Sequence, residues 1–315
     1  MDKIKLGISA CLLGEKVRYD GQHKRDHYLT DVMRKYVDWV PVCPEHDCGM
    51  SIPREAMHLE GNIDDPKLVT VNSHKDMTGQ MVSWAEKRLD ELAAENLCGF
   101  VFKSKSPSSG RFKVKVFNEH GIPEKKGIGI FARMFNDRFP LVPQEEEGRL
   151  TDDLLRESFL TKVFTCKRWQ NYLKKDGSAS GLVNFHTRYK YLLMAHSPKG
   201  LSKLGNLIAS NDGSNLKEVK GDYYKLLMEL LGERATIKKN HNTMLHVMGY
   251  FKKDISGWEK KELLDVIDLY VKELTPCLAP LVLLLHYARK YECHYLLDQY
   301  YLSPDPEEVM LRYHV

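Results

Sequence analysis

Long hydrophobic runs are missing from this 315-residue chain. The most apolar stretch, 277–286 (CLAPLVLLLH), has about half the length needed to cross a bilayer, so it reads as a buried helix. The N-terminal MDKIKLGISACLLG has no long apolar core and no cleavage-like site after one, which predicts no signal peptide. Cysteine is scarce: seven, an odd number, is too few for a disulfide scaffold and points to a reduced, cytoplasmic setting. No close CxxC pair occurs, which argues against a zinc ribbon. Internal repeats and low-complexity tracts are absent. The net charge is only +4, and 43% hydrophobic with 29% charged residues is ordinary globular composition; it excludes a disordered, collagen-like or coiled-coil chain. The length favours two domains.

The small net charge hides an uneven distribution. Residues 1–150 carry 23 basic and 23 acidic side chains, whereas residues 162–261 carry 19 basic and 8 acidic ones. A segment so basic is the footprint of a polyanion-binding face, although a well-solvated surface gives the same count.

The first half alternates strand and helix patterns. Apolar runs at 4–10 (IKLGISA), 38–42 (DWVPV), 98–104 (CGFVFKS) and 139–142 (FPLV) read as strands, and 76–95 and 129–135 as helices. That alternation predicts an α/β Rossmann-like N-terminal domain with a parallel sheet, whose functional residues sit past the carboxyl ends of the strands. The second half has helical periodicity throughout, over 151–175, 181–196, 201–211, 221–231, 238–253, 257–274 and 280–291, punctuated by Pro198, Gly213, Gly232, Gly257, Pro276 and Pro304. It predicts an all-α C-terminal domain. The acidic stretch QEEEGR at 144–149 is taken as the boundary, giving domains 1–148 and 149–315.

Three segments follow predicted strands: SACLLGEKVRYDG with Cys11, VCPEHDCG with Cys43, Glu45 and Cys48, and KSKSPSSG with Ser106, Ser108 and Ser109. In a parallel sheet such loops converge. Two cysteines on two of them suit a soft metal, while either alone reads rather as a small buried hydrophobe.

The strings SACLLG, VRYDG, PVCPE, PRE and KSKSPS, with NFHTRYKYLLMAHSP and KNHNTMLHVMGYFK in the helical half, resemble the thiouracil and thiouridine desulfidase family over nearly the whole chain. The resemblance implies a 4Fe–4S cluster held by three cysteines, with one iron left open to bind the thiocarbonyl sulfur of the substrate. It maps two ligands onto Cys11 and Cys43, a general base onto Glu45, and a hydrogen-bonding partner for the base or water onto Ser106. Its two-domain members imply 4-thiouridine in tRNA as substrate, converted to uridine with loss of hydrogen sulfide. The third cluster ligand falls on Ser109. Serine is a poor substitute for thiolate on iron because its hydroxyl is less acidic and harder. Either this is an engineered replacement, which the intact motif around it favours, or the chain departs naturally from the family with an altered or absent cluster. Cys48 is the better of two candidate substitutes. Cys98 lies at the wrong end of its strand. Lys103, Lys105, Arg18, Tyr19 and Asp20 flank these loops as candidate contacts to a nucleotide.

A free thiobase requires only the α/β domain, so the basic helical half needs another purpose. Lys167, Arg168, Arg188, Lys190, Lys238, Lys239 and His241, interleaved with aromatics such as Trp169 and Tyr189, are the candidate RNA contacts. His186 and His241 read rather as buried, hydrogen-bonded histidines. The expectation is an iron–sulfur desulfidase acting on tRNA, with free 2-thiouracil desulfidation and non-catalytic tRNA binding as alternatives.

Overall fold

In β1 (Ile4–Ser9) Ile4, Leu6 and Ile8 form one buried apolar face and Gly7 and Ser9 are buried on the other, with only Lys5 exposed, as suits an interior strand. It pairs in parallel with β2 (Val37–Val42) and β5 (Phe100–Phe102), and β5 pairs in parallel with β8 (Gln144–Glu146), giving the order β2-β1-β5-β8. Helices α2 (Thr78–Ala94) and α3 (Ile130–Arg138) pack Ala85, Leu89, Leu92, Phe131 and Phe135 against Val42, Phe100 and Phe102. Gly7 is required where the Phe100 ring crosses β1: a Cβ there would lie 2.2 Å from the ring. This is the α/β parallel arrangement that the alternating pattern predicts. The computed structural model describes residues 3–211 and 214–313. Gly213, read as helix punctuation, lies outside them.

Two features differ from the expectation. Residues 139–142 form a turn, and the fourth strand is β8, within the acidic stretch taken as the domain boundary. Pro140 lies inside the FPLV run and Pro143 directly follows it, and proline cannot donate to a ladder. The carboxylates of β8 are buried but partnered. Glu145 accepts from Arg149 Nε at 2.6 Å, and Glu146 accepts from the Arg111 and Phe112 amides at 2.7 and 3.0 Å. A second sheet was not anticipated. It consists of β3 (Met57–Gly61), β4 (Pro66–Thr70), β6 (Val114–Phe117) and β7 (Pro123–Gly127) in the order β4-β3-β6-β7, with β3/β4 and β6/β7 antiparallel and β3/β6 parallel. Leu59, Leu68, Val114 and Val116 bury one face of it with Met50, Met77, Met81 and Ile130.

The chain divides into two compact units, Met1–Lys167 with Leu311–Val315, and Arg168–Met310. The division falls inside α4 (Asp153–Lys175) rather than at 148/149. The first turns of α4 belong with the sheet: Arg156 Nη1 donates to the Leu150 carbonyl at 3.0 Å, and Val163 and Phe159 close over Gly99.

The second unit is helical among its described residues: α5 (Ala179–His196), α6 (Pro198–Ala209), α7 (Leu216–Leu231), α8 (Ile237–Met248), α9 (Gly257–Val271), α10 (Leu278–Lys290), the short α11 (His294–Leu297) and most of α12 (Pro306–Tyr313). Ser178, Thr236 and Ser256 cap α5, α8 and α9, the last with a capping box to Glu259. Its core includes Trp169, Tyr189, Leu193, Tyr223, Met244, Ile267 and Leu284. The apolar 277–286 run lies largely in α10. No helix among the described residues is long and apolar enough to cross a membrane.

Candidate active site

The loops after β1, β2 and β5 leave adjacent strands in the same direction. Cys11 lies in a single 3₁₀ turn, Ala10–Leu13, which Gly14 ends in the left-handed region at φ 96°. Its backbone carbonyl accepts from the Lys24 amide at 2.9 Å. Cys43 caps the short helix α1 (Pro44–Asp47). Pro44 sits in the first turn, and the Asp47 carboxylate accepts the Cys43 amide at 2.9 Å. Register continues the two strands so that Ser9 lies opposite Val42, which brings Cys11 and Cys43 to the same end of the sheet.

The third loop is tightly wound. The Ser106 hydroxyl accepts the amides of Ser108 and Ser109 at 3.3 and 3.1 Å, and the Ser106 carbonyl accepts Gly110 N–H at 2.8 Å. The loop is clamped to the start of α3 by the amides of Gly129, Ile130 and Ala132. Gly129 permits that approach, since a Cβ would lie 2.5 Å from the Ser108 carbonyl carbon.

Glu45 projects from the first turn of α1 between two partners. Arg54 holds Oε2 with both Nε (3.1 Å) and Nη2 (2.6 Å), and the Ser108 hydroxyl donates to Oε1 at 2.8 Å. The Glu45 and Arg54 side chains are 15% and 6% exposed, so the pair is largely withdrawn from water. Arg54 Nη2 also donates to the Val17 carbonyl at 3.0 Å, the same oxygen that faces Cys43 Sγ at 3.7 Å. Ser106, expected to touch the base, reaches it through Ser108: the two hydroxyls are 3.0 Å apart. The sequence reading missed Arg54 as a partner of Glu45, although it lies in the quoted PRE string. It also gave Ser108 no role and missed Glu147, which lies in the stretch read as the domain boundary. Glu147 pairs with Lys103 and accepts Ser104 N–H at 2.7 Å. Lys103 and Glu147 both lie within the electrostatic reach of Cys11. Arg18 pairs locally with Asp20 at 3.4 Å, and Lys105 is exposed.

Burial pushes the Cys11 thiol up to about 11, with Lys103 and Arg18 opposing, and pushes Cys43 up to about 12. Two shielded thiols past adjacent strands suit a soft metal group whose binding displaces their protons. Cys11 and Cys43 therefore fit two positions of an iron–sulfur site. The residue at the third expected position is a serine, whose hydroxyl is a harder and less acidic donor than a thiol. Ser109 is 4% exposed, and its hydroxyl has no hydrogen-bond partner among the described residues. Cys48 does not replace it: its thiol points to the Glu45 carbonyl at 3.4 Å and packs against the core of the second sheet. Cys98 precedes β5 at the opposite end, with its amide on the Lys5 carbonyl. No set of three His, Cys, Asp or Glu side chains gathers as a metal site among the described residues.

Within the helical unit, Arg168 is not a solvent-facing phosphate contact. It is 8% exposed, pairs with Asp305 at 2.8 Å and with the fully buried Glu308, and stacks on Tyr300 at 3.8 Å. Trp169 is likewise buried, stacked on Tyr223 and Tyr224. Lys239 is turned onto the carbonyls of His196 and Arg234. Arg188 donates to the Asp298 carbonyl at 3.2 Å and lies over Tyr300. Lys190 lies over Tyr191 and Tyr295. Lys167 and His241 are half-buried and Lys238 is exposed. His186 is held by the Tyr223 hydroxyl at 3.2 Å.

Residues 6–147 match the family described as 2-thiouracil desulfurase, and residues 190–306 match a family of unknown function, DUF1722. The uncharacterized protein YbgA of Escherichia coli (strain K12) is 32% identical over 159 residues, which are 50% of this chain and 94% of that protein. A solved structure of the [4Fe–4S]-dependent thiouracil desulfidase TudS is 28% identical, covers 48% of this chain and 95% of its own, and aligns with a TM-score of 0.39. The order of motifs, the converging strand ends, the two family matches and the YbgA relative make the chain a two-domain member of the thiouracil desulfidase family.

Proposed function

We propose that this protein removes sulfur from 4-thiouridine in tRNA, giving uridine and hydrogen sulfide, with an iron–sulfur group held in part by Cys11 and Cys43. The observation that carries the reading is Glu45, fixed between Arg54 and Ser108 beside the buried Cys11 and half-buried Cys43 thiols at the ends of adjacent strands. When bound, the group supplies a soft Lewis acid for a thiocarbonyl sulfur. The remaining chemistry belongs to the chain. Arg54 immobilises Oε2, which leaves Oε1 to be shared between the Ser108 hydroxyl and a water. Glu45 there serves as general base. Water gives up two protons, the ring carbon gains a bond to oxygen and loses its bond to sulfur, and sulfur departs with those protons as hydrogen sulfide. No electrons are transferred overall.

The basic count of residues 162–261 supports tRNA as the carrier of the thiobase. Such a base must leave its stack to be processed. Seven free cysteines among the described residues suit a cytoplasmic enzyme. Free 2-thiouracil is a second reading, favoured by the description of the matching domain. Non-catalytic tRNA binding is a third, favoured by Ser109.

Anaerobic iron–sulfur loading of the chain and of Ser109→Cys tests the proposal. The loop around residue 109 is clamped by Gly110 and Gly129, so the sulfur replaces the hydroxyl in place. The variant is expected to hold more iron, with broad thiolate-to-iron absorption near ~400 nm, and to release more sulfide from thiolated tRNA than from free thiobase. Neither iron nor sulfide from Ser109→Cys sinks the enzyme reading. Equal or faster release from the free base favours the second reading.

A further inference from the structure

The antiparallel hairpin β6–β7 grows out of the catalytic loop and returns to it. β6 begins at Val114, shortly after Ser109, and beyond β7 the Gly129 amide bonds the Gly110 carbonyl at 2.7 Å. Between residues 103 and 127 the chain has seven basic and two acidic side chains, whereas the rest of residues 1–150 has more acidic than basic ones. Three of the seven have partners: Lys103 pairs with Glu147, Arg111 bonds Gln144 and Asn136, and Lys126 lies 3.3 Å from Glu124. Lys105, Lys113, Lys115 and Lys125 are exposed, and none has a carboxylate partner among the described residues.

Register sets Lys115 directly opposite Lys125. Val114, Val116 and Gly127 are buried on the other face of the hairpin, so the two lysines share the outward one. Like charges opposed across an antiparallel pair destabilise a sheet. The fold gains nothing from this placement, whereas an external polyanion gains two adjacent cations. Phe117, two residues along the same strand from Lys115, adds a half-buried aromatic that packs on His58 with ring centroids 4.8 Å apart.

We infer that the outward face of this hairpin binds the phosphodiester backbone of RNA beside the base being processed, through Lys115 and Lys125. The inference rests on reading the adjacent site as one that acts on RNA, since a free thiobase carries no phosphate to meet these charges. It places a nucleic-acid contact in the catalytic unit, in addition to the one proposed for the basic helical segment.

Anisotropy titrations of tRNA from low to high salt test it, comparing the wild type with the double variants Lys115→Gln/Lys125→Gln and Lys115→Arg/Lys125→Arg. Each lost phosphate contact flattens the plot of log affinity against log salt by roughly 0.7 to 0.9. The glutamine pair should therefore lose about twice that slope, while the arginine pair keeps the wild-type slope. A melting temperature at or above that of the wild type shows that the glutamine pair is folded. An unchanged slope overturns the inference, as does a wild type that binds no tRNA. A wild type that binds tRNA and loses slope in the glutamine pair, yet releases no sulfide from thiolated tRNA, sustains this surface and defeats the proposed reaction.

Discussion

Glu45 and Arg54 illustrate how one side chain's chemistry depends on another's position. A largely buried carboxylate stripped of its cation is costly: removing one member of such a pair typically destabilises by about 3–5 kcal/mol. Arg54→Met is therefore expected to lower the melting temperature measurably. The double variant Glu45→Gln/Arg54→Met should recover part of that loss, because no unpaired charge remains. Glu45→Gln alone is expected to retain bound iron while sulfide release falls by roughly a hundredfold or more, the usual scale of a missing general base. Iron content unchanged with full sulfide release would remove Glu45 from the reaction. The sequence motif pointed to this glutamate and to Cys11 and Cys43. It did not show that Ser108, rather than Ser106, touches the carboxylate, because the choice between neighbouring hydroxyls depends on how the loop winds. Ser106 turns its oxygen back onto two amides of its own loop, and Ser108 is left facing Glu45.

Among the elements, those with a strong period were legible in advance and those held by partners were not. β1, β2 and β5 are runs of apolar residues, and α2 and the long helices of the second unit repeat with helical spacing. β8 is the sequence QEE, which has no strand signature. It is a strand because β5 offers an open edge and because Arg149 and the Arg111 and Phe112 amides satisfy its carboxylates. The second sheet is built from strands of four or five residues, too short for alternation to stand out. The contact between the Ser106–Gly110 loop and α3 is the element-scale feature on which the site depends. Gly129→Ala puts a methyl carbon 2.5 Å from the Ser108 carbonyl carbon, so the loop must move off the helix. The expected result is loss of sulfide release with the helical unit still folded. Far-ultraviolet circular dichroism near that of the wild type, with activity reduced at least tenfold, would bear this out, and full activity would show that the loop position is not needed.

Across the whole molecule, basic charge is concentrated in residues 162–261, but burial decides which of those charges meet solvent. Arg168 sits among Asp305, Glu308 and Tyr300, whereas Lys238 is exposed near the start of α8. Arg168→Ala leaves two carboxylates without their cation and is expected to lower the melting temperature of the chain. Lys238→Glu is expected to leave the melting temperature within error and weaken tRNA binding by a few-fold to tenfold at low salt, with the difference shrinking as salt rises. Equal effects of the two substitutions on stability would contradict this division of roles.

The sequence by itself determined the parallel core strands β1, β2 and β5, the helical character of the second half, the placement of Cys11, Cys43 and Glu45 at strand ends, and the oxygen at position 109. These follow from local periodicity and from residue identity, which need no partner. Only the tertiary structure decided that Ser108 meets Glu45 across 63 positions of chain and that Arg168 meets Glu308 across 140. It likewise decided that an acidic tripeptide forms a buried strand, and that two lysines face each other on a hairpin beside the site. Burial and hydrogen-bond satisfaction are set by whatever the fold brings alongside a side chain, and residues this distant in the chain leave no local pattern that announces their contact.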